Sequence, residues 1–197
     1  MDMIEGVLLE GVDYVGKTTV SHRLADLMGR NGRTIGLGQC YLQRSPLIEF
    51  LEKEAKKSDD MMVRDYFYTA ALVSDLSTLV PPREYRVQDR HWLTQLGRNA
   101  FFHTEEMVPA RYLLEEHRPF THNVLLTSSA RSKRERTAGR QPGSPRDAYL
   151  AAHPEVHQEY EDFVTALLPA DENWLVLDTT DCPVDEVARR ILAYCGS

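Results

Sequence analysis

The chain has 197 residues, 42% hydrophobic and 27% charged, with a formal net charge of −7. That is enough for one well-filled core and short for two, and the acidic balance argues against nucleic-acid binding, which favours a basic face. Three widely spaced cysteines, Cys40, Cys182 and Cys195, with no C-x-x-C pair, read as reduced and not zinc-binding, and no apolar run approaches the roughly 20 residues that span a bilayer, so the expectation is one cytoplasmic domain with no membrane partner.

The first predicted strand, residues 4–9, is a short apolar run that leads into Gly11, and Gly16-Lys17-Thr18 then opens a helix. This is the G-x-x-x-x-G-K-[ST] phosphate-binding loop in strand–loop–helix context. Gly11 and Gly16 let the backbone curl until the N–H groups of Asp13, Tyr14, Val15, Gly16 and Thr19 can converge on phosphate oxygens. The helix N-terminus adds to that field. Lys17 reaches the outer phosphates, and the Thr18 hydroxyl can ligate Mg²⁺.

After the loop, Val20, Leu24, Leu27 and Met28 fall at helical spacing, and Asn31-Gly32 ends that helix. Residues 34–40 read as a second strand, so the chain starts as a βαβ unit and a parallel sheet is expected. An amphipathic helix over 47–57 follows Pro46, and Asp59 or Asp60 caps a longer one running towards Pro81-Pro82. Residues 83–89 are a short, charged third strand; 91–118 are helical with an interruption near Pro109. A clearer strand over 122–127 leads into a basic segment, 128–146, then a single long helix over 147–168, a last strand over 173–178 and a C-terminal helix. Five strands alternating with helices predict a three-layer α/β domain spanning residues 1–197.

Ligands of open parallel sheets sit at the carboxyl ends of the strands, so Asp89-Arg90-His91, directly after the third strand, should face the phosphate loop. An Asp there can hold Mg²⁺ or accept a proton, and Arg90 can neutralise oxygens of a transferred phosphoryl group. The basic segment, with Arg134, Arg136 and Arg140, fits a lid over about 131–146 that closes on the nucleotide and excludes water. Leu175-Val176-Leu177-Asp178 resembles a magnesium-site strand, but no second acid follows it, and it reads as structural. His153 and His157 stand four apart on a helix; with no Glu after His153 and no third ligand they read as a surface pair. Tyr66, Phe67 and Tyr68 on the long central helix read first as core.

Residues 9–19, Leu-Glu-Gly-Val-Asp-Tyr-Val-Gly-Lys-Thr-Thr, resemble the phosphate loop of thymidylate kinases, E-G-x-D-x-x-G-K-[ST]-T. Asp89-Arg90-His91-Trp92-Leu93-Thr94 is similar to the D-R-[YH]-x-x-S segment of that family, and the later strands, lid and closing helix follow its order. The resemblance implies a P-loop kinase fold, ATP and Mg²⁺ as cofactors, and a homodimer. Gly11 to Thr19 would hold ATP, with Lys17 and Thr18 as its side-chain ligands, and Thr18 and Asp89 would hold the metal. Asp13 would also touch the acceptor sugar hydroxyl, and Arg44 would grip the acceptor phosphate. Asp89 and Arg90 would be catalytic, and Arg134 or Arg136 would lie over adenine or enter the phosphoryl site, with Arg140 also on the ATP side. Because Tyr14 replaces a basic residue that some members carry in the loop, the catalytic arginine should come from the lid.

The acceptor half departs from the pattern. The family's aromatic-x-x-x-Arg on the central helix becomes Tyr68 with Leu72 at the arginine position, and Arg98 and Asn99 stand where an aromatic and a polar residue are expected. A charge-assisted bond from arginine to phosphate is worth about 1.5–3 kcal/mol, so its loss weakens a monophosphate acceptor unless Arg98 compensates. The leading expectation is ATP-dependent phosphoryl transfer to a nucleoside monophosphate, thymidylate-like or an analogue. The alternatives are a kinase of an unphosphorylated nucleoside or other small alcohol, with Asp89 as base, and a partner-regulated NTPase; against the latter, the chain lacks an N-K-x-D motif.

Overall fold

The computed structural model describes residues 3–30, 32, 34–78, 84–103, 113, 115–117, 119–138, 143–170 and 172–196. Five strands, β1 (Ile4–Glu10), β2 (Ile35–Gln39), β3 (Tyr85–Asp89), β4 (Phe120–Thr127) and β5 (Trp174–Asp178), form one sheet in the order β2-β3-β1-β4-β5. Every pairing is parallel. β1 is central, and its Val7, Leu8 and Leu9 are fully buried, as expected of a strand covered on both faces.

The helices are α1 (Lys17–Arg30), α2 (Pro46–Lys57), α3 (Met61–Thr78), α4 (Trp92–Phe102), α5 (Ala130–Thr137), α6 (Pro145–Ala152), α7 (Pro154–Ala166) and α8 (Val184–Gly196). α1 packs on α8 and along β2 and β3, while α4 packs on α3 and α7. The register sets Leu9 beside Asp89 and Asp89 beside Gln39, so the turns leaving β1, β2 and β3 meet at one level at the carboxyl end of the sheet. Three non-glycine residues in those turns, Tyr14, Cys40 and Arg90, have φ of 67°, 62° and 65°. Strained backbone of this kind collects at ligand sites.

Local chemistry explains the helix ends. The Asp60 carboxylate accepts from the N–H groups of Met62 and Val63 and caps α3. Ser45, Ser129 and Ser144 cap α2, α5 and α6 in the same way. The single helix expected over 147–168 is two, because Pro154 has no N–H and pushes His153 out of helical geometry, to φ −127° and ψ 74°. The first part of the basic segment is helical as α5. Arg140, Pro81, Pro82 and Pro109 lie outside the described residues. No described helix is long and apolar enough to cross a membrane.

Candidate active site

The loop leaves β1 at Gly11, whose φ of +137° and close approach to the Leu126 carbonyl, 2.3 Å from where a Cβ would lie, admit only glycine. Gly16, at φ +97°, delivers the chain into α1. Lys17 is buried and its Nζ donates to the Val12 carbonyl, so the ammonium lies over the loop it must serve. Burial, and then the Arg90 charge, pull its pKa down to about 7 against the opposing pull of Asp13 and Asp89. Thr18 Oγ1 donates to Asp89 Oδ2 at 2.5 Å, and Asp89 Oδ1 is buried with no hydrogen-bond partner among the described residues. A hydroxyl, a carboxylate and an unused oxygen beside a phosphate loop fit Mg²⁺, which takes few protein ligands and completes its shell with water and phosphate oxygens.

Glu10 has a different task from the loop that follows it. Its carboxylate takes the N–H groups of His91, Leu93 and Thr94 and the Thr94 hydroxyl, occupying the N-terminus of α4 where His91 itself supplies no side-chain cap. The end of β1 thereby fixes the turn that carries Asp89 and Arg90.

Asp13 lies between two guanidinium groups. Arg90 Nη2 donates to Oδ1, and Arg98 Nη2 lies 3.5 Å from Oδ2. Burial alone would raise the Asp13 pKa, but Arg90, Arg98 and Lys17 together hold the carboxyl far below the usual range. These groups form one wall of a cavity of about 280 Å³. Its lining carries five basic side chains, Lys56, Arg64, Arg90, Arg98 and Arg146, against the acids Asp13, Glu52 and Asp147. Glu52 is taken by Arg44 and Arg146 by Asp65, while burial raises the Asp147 pKa. Arg90 and Arg98 share one carboxylate, so positive charge is left over inside the cavity.

The remaining acceptor-side residues divide. Tyr68 and Leu72 line the cavity. Asn99 does not: it is buried in a network in which its Nδ2 donates to Thr69 Oγ1 at 2.9 Å and its Oδ1 accepts from Gln95 Nε2 at 2.9 Å. Gln95 is the amide that lines the cavity in its place. Arg44 is half-exposed, pairs with Glu52 and lines an adjoining cleft with Thr18 and Asp89.

On the other side of the loop, Tyr14, Val15, Gly16, Thr19, Arg136 and Cys182 help to line a hollow of about 190 Å³. Arg136 donates to the Tyr14 and Thr179 carbonyls at 3.1 and 2.7 Å and to Thr179 Oγ1 and Ser128 Oγ at 3.0 and 3.3 Å. Four acceptors fix the guanidinium plane at the edge of the hollow. Arg134, two residues earlier on α5, is exposed. Lys133 between them is buried against Glu161 of α7, at 3.2 Å, which anchors the root of the basic segment.

No family model matches the chain, and no curated protein matches its sequence. Among solved structures, thymidylate kinase from Candida albicans, described as having broad substrate specificity, superposes with a TM-score of 0.70 over 98% of this chain and 92% of that one, at 13% identity. The fold is thymidylate kinase-like. The likeness is one of architecture, and within this fold Asp89, Arg90 and Arg136 each contact the loop between β1 and α1 or the first turn of α1.

Sequence reasoning missed the groups that support this site. Asp65 and Arg146 form a buried bidentate pair, with His103 Nε2 2.6 Å from Asp65 Oδ2 and the Arg146 guanidinium 4.8 Å from the centre of the Phe102 ring. His157 is a correction: it is buried on α7, edge-on to the Tyr14 ring at 6.1 Å, with burial and Lys133 lowering its pKa to about 4. The i, i+4 histidine spacing gave no sign of this, because only packing on the phosphate loop removes His157 from the surface.

Proposed function

We propose that the protein is an ATP-dependent kinase whose acceptor is a nucleoside monophosphate, thymidylate-like or a close analogue. The observation that carries this reading is the surplus of positive charge, much of it half-buried, in the cavity around Asp13, beside a phosphate loop. Buried charge without a partner is costly, and an anionic acceptor supplies the missing partner. Arg98 then takes the phosphate role that Leu72 cannot.

The donor triphosphate lies along Gly11 to Thr19, with Lys17 on its outer phosphates. Thr18 and Asp89 would hold Mg²⁺, which when bound would supply neutralisation of phosphate charge. Arg136, with its plane fixed, forms a platform for the donor base. Arg134 is the described lid arginine left free to neutralise the migrating phosphoryl group. An acceptor oxygen bonds to the γ phosphorus as the bond to the bridging oxygen breaks, and ADP leaves. An already ionised phosphate needs no base, so Asp89 acts on the metal side, and the work is positioning and charge stabilisation.

Cysteines this widely spaced, with no C-x-x-C pair, support a cytoplasmic protein, and the family resemblance supports a homodimer built from a single-domain chain. Leu72 favours a second reading, a kinase of an unphosphorylated nucleoside or other alcohol. Following ADP release over a panel of nucleosides and their monophosphates separates the two. Turnover of monophosphates is expected; turnover of nucleosides alone overturns the reading.

A further inference from the structure

Asp75 lies on α3, outside every motif in the sequence, and no step of the proposed transfer uses it. Its side chain is fully buried, and its three partners come from two separate turns. Oδ2 accepts from the Leu42 N–H at 2.7 Å and Oδ1 from the Gln43 N–H at 3.1 Å. Both donors belong to the turn after β2, which carries Arg44. Oδ2 also lies 3.2 Å from His91 Nε2, in the turn after β3 that carries Asp89 and Arg90. The Gln43 side chain strengthens the first link, with Nε2 donating to the Asp75 carbonyl at 3.4 Å and to Thr78 Oγ1 at 2.6 Å.

A carboxylate only accepts, so it holds the His91 proton on Nε2. The Nδ1 of His91 is buried with no partner among the described residues. His91 is gripped a second time through its own N–H by Glu10. Neither turn can shift against the other without stranding a buried donor or the carboxylate, and each such loss is expensive.

We propose that Asp75 is a positioning residue that locks the Arg44 turn to the Asp89–Arg90 turn, so that acceptor grip and phosphoryl transfer are set as one unit. What the two turns do rests on the kinase reading above; the link between them does not.

Asp75→Asn tests it with little change of shape. Asn has one oxygen and no charge, so in either placement it turns its NH₂ against a backbone N–H of the Arg44 turn and gives up the charge-assisted hold on His91 Nε2, which weakens both ends of the link. With thymidine monophosphate as acceptor, Asp75→Asn should raise the acceptor KM and lower kcat, each by about tenfold, with the KM for ATP within about threefold. A simple loss of folded protein would lower kcat alone. His91→Phe, which removes the Nε2 donor that a glutamine amide would replace, should give the same pattern, and the double variant should be within about threefold of the worse single, because both cut one link. Amide hydrogen exchange supplies a readout independent of activity: Asp75→Asn should speed exchange at Gln43 and at residue 91 together, and His91→Phe should do so from the other end. Exchange confined to the altered turn, multiplicative kinetics, or a fall in kcat alone overturns the proposal. Should the native chain phosphorylate no monophosphate, the kinase reading falls, and the exchange data still decide whether Asp75 joins the turns.

Discussion

Arg90 donates its Nη2 to Oδ1 of Asp13, joining the turn after β3 to the phosphate loop, while Arg98 stands at the other carboxylate oxygen. Two cations on one anion leave a charge unmatched in the cavity that Tyr68 and Leu72 also line. Arg98→Ala should therefore raise the acceptor KM by about 10- to 100-fold, the worth of one charge-assisted bond, with the KM for ATP unchanged. Leu72→Arg in that background should recover part of the loss, because its side chain opens onto the same cavity. The same substitution beside an intact Arg98 adds a like charge and should help little. Steady-state kinetics of the single and double variants decide this, and an unchanged acceptor KM in Arg98→Ala would falsify the assignment.

Lys17 makes donor binding depend on pH. Its pKa in the folded chain is lowered to about 7, so between that value and the ordinary lysine range the unfolded chain binds more protons than the folded one. Stability from this group therefore rises with pH across that window, and the cost of burying its charge is fully present below it. Phosphate oxygens restore the charge. ATP binding should thus take up a proton near pH 8 and almost none near pH 6. Calorimetric titration in buffers of different ionisation enthalpy measures the uptake, and Lys17→Ala should abolish it. That variant should also lose transfer by at least about 100-fold while unfolding cooperatively.

The parts of the site legible in the sequence are those set by local backbone demands. Gly11 and Gly16 answer to φ, Lys17 and Thr18 to the helix start, and Asp89 to the end of a strand. The sheet was legible because short, mostly apolar strands alternate with helices, and that alternation specifies parallel strands and placed even the charged third one. What was not legible depends on partners far apart in the chain. Asp65 and Arg146 are 81 residues apart, and each alone reads as an ordinary surface charge. Asn99 has the right chemistry for reading a base edge, yet Thr69 and Gln95 consume its amide. The break at His153-Pro154 was available in the proline, which cannot donate within a continuous helix.

Arg134 and Arg136 should separate cleanly. Arg136 is tied down by four acceptors, two of them the Tyr14 and Thr179 carbonyls. Arg136→Ala strips these partners and the platform beside the donor hollow, so it should raise the KM for ATP and lower the melting temperature. Arg134→Ala removes an exposed side chain and should leave the melting temperature alone, while lowering kcat by about 100-fold if it neutralises charge only in the transition state. Thermal melts with kinetics at saturating ATP distinguish the pair. Equal effects of both substitutions on kcat alone would show that the two do not divide these roles.

The Asp65–Arg146 pair should matter most to stability. Asp65 is fully buried and bidentate to Arg146, so it joins α3 to α6 across the cavity. Asp65→Ala strands a guanidinium in the interior beside Phe102, and such a loss typically costs about 3–5 kcal/mol. Replacing both ends by apolar residues of similar size, as in Asp65→Leu with Arg146→Met, removes the stranded charge along with the bridge. The double variant should therefore unfold at higher denaturant than Asp65→Ala alone. His103 sets a limit on the recovery, because its Nε2 also lies against Asp65 and loses a partner in either variant. Urea unfolding of the two variants, with and without His103→Phe, tests the order. A double variant less stable than Asp65→Ala would mean that the pair is held by more than its own charges.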